Sequence, residues 1–124
     1  MSRLCQIGVT LLIAASPLSC VTLRAPSGAP VPDEHDLADV DSNLAALRLI
    51  LRGYPPKLTS QEQRQEVTHQ WKEAEAQLRE LSETYPHDAA LPWRLGELYR
   101  FGHNLDLPGA GAECVSHLGR AIAL

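Results

Sequence analysis

The sequence predicts an all-α protein built from antiparallel helical hairpins. Three observations predict it. Apolar residues return at spacings of three and four through four separate segments, which places them on one side of a helix. No segment alternates apolar and polar residues at the period of two that a half-buried strand requires. The apolar content is dominated by Ala and Leu, with aromatics at only 5%. That composition suits close helix packing and leaves little of the β-branched and aromatic material from which sandwiches are built. At 124 residues the chain has room for one folded body once its N-terminal segment is set aside.

Residues 1–19 read as a signal peptide. Arg3 precedes the apolar run Ile7-Gly8-Val9-Thr10-Leu11-Leu12-Ile13-Ala14-Ala15. A membrane-spanning helix needs about 20 apolar residues, and this run is roughly half that. Its position is that of an export signal's apolar core. Leu18-Ser19-Cys20 follows, and here the chain resembles a bacterial lipoprotein signal, in which a small residue precedes a lipidated Cys. Pro17 stands where that family prefers Leu. The resemblance implies lipidation of Cys20, which would become the mature N-terminus and tie the chain to a membrane. The alternative is unlipidated cleavage near Ser19, which would free Cys20 to bridge Cys114. Cys5 is lost with the signal in either case. Residues 20–32, with Pro26, Ser27, Gly28, Pro30 and Pro32, cannot bury a core and read as a flexible tether.

The helical domain is expected over residues 33–124. Its first helix spans about Asp36 to Arg52, with Leu37, Val40, Leu44, Leu47 and Leu51 on one face. Asp33, Glu34, Asp36, Asp39 and Asp41 crowd its start and Arg48 and Arg52 its end, so its charges match the helix dipole. Gly53 and Pro55-Pro56 stop it. The second helix opens at Thr59-Ser60, where Glu62 and Gln63 stand at capping-box spacing. It carries the seam Val67, Trp71, Ala74, Leu78, Leu81 and Tyr85 up to Pro86, with Glu75 and Arg79 paired on its outer face. The third spans about Ala89 to Phe101, turns Leu91, Leu95, Leu98 and Tyr99 inward, and is ended by Gly102. The fourth, from about Gly111 to Leu124, shows Ala112, Val115, Leu118 and Ile122 on one side, with Ala121 beside them.

At Leu95-Gly96, with Tyr99 three residues on, the chain resembles the tetratricopeptide repeat. That family pairs Leu-Gly with an aromatic at this spacing on the first helix of each repeat. Its Gly lets the second helix approach closely, and its aromatic fills the gap between hairpins. The intervals from Ala74 to Pro86, from Pro86 to Gly96 and on to Ala121 match the family's small residue, terminal Pro and next repeat. The resemblance covers the stretch from Ala74 to Leu124. Three features depart from it. Pro92 stands at the family's Trp, with Trp93 one step late. The turn from His103 to Gly111 is long. Before Ala74, Glu62 and Gln65 occupy the positions of Gly and Tyr. The resemblance implies a surface for polypeptides, with Trp93, Arg94, Glu97 and Arg100 on the helix that lines the family's concave face. It also implies an apolar edge beyond the last helix, covered by self-association, by a partner or by further residues of the chain.

Nothing in the sequence amounts to a catalytic, cofactor or metal signature. His69 and Glu73, Glu113 and His117, and Cys114 and His117 share helix faces, but zinc needs three or four converging ligands. Surface positions on amphipathic helices account for these pairs. Cys114 reads as a small buried apolar residue. Pro108-Gly109-Ala110-Gly111 lacks the Lys and the preceding strand of a phosphate loop, so the segment reads as a turn. A net charge of −4 argues against a nucleic-acid partner. The expectation is therefore a non-enzymatic, exported, lipid-anchored protein–protein interaction module of a bacterial envelope. The alternative is a structural subunit that oligomerises through helical faces and binds no peptide.

Overall fold

The computed structural model describes residues 28–124. The signal peptide, Cys20 and most of the tether lie outside the described residues. Four helices follow one another: α1 (Glu34–Leu51), α2 (Gln61–Thr84), α3 (Ala90–Asn104) and α4 (Ala110–Ala123). Among the described residues there is no strand. α1 packs against α2 and α3, α2 also packs against α3, and the backbone of α4 approaches only that of α3.

Each helix begins for a local reason. Asp33 caps α1, its carboxylate accepting the amide of Asp36 at 2.8 Å. This starts the helix two residues earlier than the apolar pattern indicates. Ser60 Oγ accepts the amide of Gln63 at 3.0 Å, while Gln63 Oε1 accepts the amide of Thr59 at 2.6 Å. The hydroxyl that caps α2 is thus Ser60, and Gln63 reaches back to its neighbour. Asp88 accepts the amide of Ala90 at 2.8 Å at the start of α3.

The core is built from the seams of α1 to α3. Val40, Leu44, Leu47, Leu51, Val67, Trp71, Ala74, Leu78, Leu81, Leu91, Leu95, Leu98, Tyr99 and Phe101 are buried. Leu37 and Tyr85 are partly buried against them. Trp71 also satisfies its polar atom, its indole N–H donating to the carbonyl of Leu98 at 2.6 Å.

Four expectations need correction. The folded body begins within the expected tether, because Pro32 is buried. Gly102 does not end α3. The helix continues to Asn104, and Gly102 is a buried contact point where a Cβ would lie 2.8 Å from Trp71 Cζ2. The long turn contracts to a tight connection. Leu107 N–H donates to Gly102 at 2.9 Å and Asp106 N–H to His103 at 3.0 Å, with Asp106 left-handed at φ 59°. This is a Schellman C-terminus, in which the last carbonyls of α3 find donors in the turn. Finally, α4 turns a different side inward. Ala110 is buried and Cys114, His117, Leu118 and Ala121 are partly buried, whereas Ala112, Val115 and Ile122 face outward. α4 carries apolar residues around most of its girth, so its pattern alone did not select the packed side. The seat offered by Gly96 selects it, since a Cβ there would lie 2.5 Å from Leu118 Cδ2.

Candidate functional site

α3 carries the four residues expected to meet a partner, and the structure divides them. Arg94 is spent inside the protein. Its Nε and a terminal nitrogen donate to the two oxygens of Asp41 on α1 at 2.7 and 3.0 Å. A further nitrogen of Arg94 donates to the carbonyl of Ala90 at 3.3 Å. The Arg94 hydrogen bonds and charge hold the Asp41 carboxyl below its usual range. Glu97 is spent as well. Its Oε1 accepts from Arg48 Nε at 2.8 Å, with an Arg48 terminal nitrogen at 2.7 Å. These two pairs clamp α1 to α3 and leave neither group free for a ligand.

Trp93 and Arg100 remain available. Trp93 is 59% exposed. The Arg100 guanidinium sits 5.0 Å from the Phe101 ring centroid, and among the described residues it has no carboxylate partner. Between them lies a groove of about 310 Å³ lined by Arg48, Trp93, Gly96, Glu97, Arg100 and Leu118. Helical geometry explains the set. Positions 93, 96, 97 and 100 recur at three and four and share one side of α3. The missing side chain at Gly96 exposes the groove floor to Leu118 of α4. Arg48 and Leu118 escaped the sequence reading. Arg48 looked like a dipole-matching charge at the end of α1, and no local signal reveals which distant carboxylate it meets.

A second polar cluster ties α2, α3 and α4 together. Arg79 donates to the Tyr99 hydroxyl, and that hydroxyl donates to Glu75. Arg79 Nε also lies 3.2 Å from Glu75 Oε1. The Tyr99 ring meets Trp71 edge-on at 5.4 Å and stacks on His117 at 5.3 Å with an interplanar angle of 8°. Burial, and then the bond to Glu75, push the Tyr99 hydroxyl up to about 12. His117 is therefore not the surface residue its spacing from Glu113 suggested. Its side chain is 13% exposed, and Nε2 lies 3.5 Å from Glu113 without making a hydrogen bond. Desolvation lowers its pKa, with Arg79 and Arg120 acting in the same direction and Glu113 and Glu75 opposing.

The arrangement offers contact surface. Among the described residues, no three His, Cys, Asp or Glu side chains are grouped so as to hold a metal ion. The clefts between α1 and α2 are lined by polar residues such as Asn43, Glu66, Gln70 and Glu73. No helix among the described residues is long and apolar enough to cross a membrane. No protein-family model matches the chain, and no curated protein or solved structure matches it.

Proposed function

We propose that the chain is a protein–protein interaction module whose α1–α3–α4 groove receives a segment of a partner polypeptide. The observation that carries this is the exposed indole of Trp93 beside the Arg100 guanidinium, which pairs with no carboxylate among the described residues, over an apolar floor of Gly96 and Leu118. An amphipathic aromatic and a free guanidinium around a small apolar recess are the materials of a contact hot spot. A volume near 310 Å³ is at the lower end for ligand pockets, so it accepts one or two side chains of a docked segment. The tetratricopeptide-like reading agrees with this. α1 lies against α2 and α3, α3 lies against α4, and Gly96 admits Leu118 as the repeat's close contact would require.

The test is a random-peptide library selected on the immobilised protein. Peptides that enrich on the parent and are lost on the W93A/R100A variant support the groove. No enrichment, or equal enrichment on both, removes it. Arg94 and Glu97 are left unaltered because changing them would loosen the clamp between α1 and α3.

The setting proposed for this module is a bacterial envelope, with the body tethered through lipid on Cys20. Support comes from the apolar run at residues 7–15 and from Ser19-Cys20. The intact mass of the mature protein tests it. A chain beginning at Cys20 with a diacylglyceryl increment is expected, and a chain cut nearby without lipid refutes the anchor.

A further inference from the structure

The groove between Trp93 and Arg100 is unevenly charged. Its lining holds two bases, Arg48 and Arg100, and one acid, Glu97. Arg48 and Glu97 neutralise each other at 2.7 Å, and the Glu97 side chain is only 17% exposed. Arg100 therefore keeps a positive charge that no carboxylate among the described residues offsets. Its attraction to the buried Phe101 ring, 5.0 Å away, helps to hold the guanidinium in place. Neighbouring clefts lack this pairing of a base with an apolar floor. The cleft lined by Glu66 and Glu73 and the one lined by Asp36 and Glu80 hold acids and no base. The side of α2 that carries Arg64, His69 and Lys72 is lined by polar residues throughout.

We propose that the groove selects an extended segment in which an apolar side chain stands two positions from an aspartate or glutamate. The apolar side chain fills the recess over Gly96 and Leu118, against the Trp93 indole, and the carboxylate meets Arg100. The spacing follows from the helix. From Gly96 to Arg100 α3 rises about 6 Å, and residues on one side of an extended chain are about 6.7 Å apart. The planar fork of a guanidinium matches a carboxylate. A phosphate group, with nearly two negative charges, would lie near Glu97 with one free cation to offset it, which makes it the poorer fit. Arg100 is itself exposed, so the segment can run on past it and the carboxylate comes from a side chain. On a chain of net charge −4 the preference is local, acting at contact and not by long-range steering.

This selectivity rests on the groove being the binding site, and the test separates the two. Short peptides blocked at both ends carry a fixed Leu with Glu two positions to either side, and no other charge. The tightest binder to the full chain is remade with Gln, and with phosphoserine, in place of Glu. Titrations followed by fluorescence anisotropy should show the Glu peptide binding about fivefold more tightly than the Gln peptide. Arg100→Gln should erase that difference while binding the Gln peptide as the parent does, which shows the variant to be folded. Trp93→Ala should weaken both peptides. Equal affinity of the two peptides for the parent, or a preference that survives Arg100→Gln, would overturn the selectivity and leave the groove standing. A phosphoserine peptide that binds more tightly than the Glu peptide would overturn the choice of a carboxylate. No binding by any peptide, or binding indifferent to Trp93→Ala, would overturn the groove and the selectivity together.

Discussion

Replacing Gly102 with Ala should destabilise this protein, although Ala is the better helix former. A Cβ at 102 would lie 2.8 Å from Trp71 Cζ2, 3.0 Å from Cε2 and 3.2 Å from the Ala110 methyl. Carbon atoms rest at about 3.5–4.0 Å, so the indole would have to retreat by nearly 1 Å. It has no easy path. Trp71 is 5% exposed, its indole nitrogen is held at 2.6 Å from the Leu98 carbonyl, and Tyr99 abuts it edge-on. Overpacking of this kind costs about 1–3 kcal/mol, and weakening a buried hydrogen bond about 1 more. Relief of the Gly penalty in a helix returns about 1 kcal/mol. The balance is a loss of about 2 kcal/mol, or roughly 10 °C in Tm for a domain of this size.

Gly119→Ala is the matched control, because it is also helical yet faces open space. It should gain up to about 1 kcal/mol from propensity alone, less whatever fraying near the end of α4 removes. Gly96→Ala should fall between the two, since the clashing atoms are the movable end of Leu118. Urea and thermal unfolding would rank the three. If Gly102→Ala were as stable as the parent, the rigid seat assigned to Trp71 would be wrong.

Two other outcomes follow from the electrostatics. A double-mutant cycle on Asp41 and Arg94 should return a coupling of about 0.5–1 kcal/mol, modest because the Asp41 side chain is 51% exposed. The folded-state pKa of Asp41 lies below 3.8, so this contribution is complete above that value and is lost as pH falls through the lowered pKa. A coupling unchanged at pH 2 would contradict the ion pair. For His117 the folded-state pKa lies below 6.5, so the unfolded chain binds more protons as pH falls past 6.5. Stability should be full above about pH 6.5 and decline below it. His117→Phe, which keeps the stack on Tyr99, should flatten urea midpoints between pH 5 and 7. An identical slope in the variant would remove His117 as the source.

Much of the body could be read from the sequence because its rules are local. The seams of α1, α2 and α3 follow from spacings of three and four. Every residue assigned to those seams is buried or partly buried. The cap of α2 was visible because a hydroxyl and Gln63 need only stand three residues apart, and even there the choice between Thr59 and Ser60 awaited the backbone. The proposals of a signal peptide and a lipid anchor rest on the sequence alone, since residues 1–27 lie outside the described residues.

What the sequence by itself determined, then, was an all-helical chain with the core of its first three helices in place. The tertiary structure decided the rest. It chose which side of α4 packs, turned Gly102 from a helix stop into a contact, drew His117 under Tyr99, and consumed Arg94 and Glu97 in clamps to α1. The reason is distance along the chain. Arg94 and Asp41 are 53 positions apart and Arg48 and Glu97 are 49 apart. Periodicity and capping act within a turn or two of helix, so they specify each helix but not the face its neighbour will meet. Only close packing of whole helices, with Gly96 and Gly102 setting how near they come, brings such residues together.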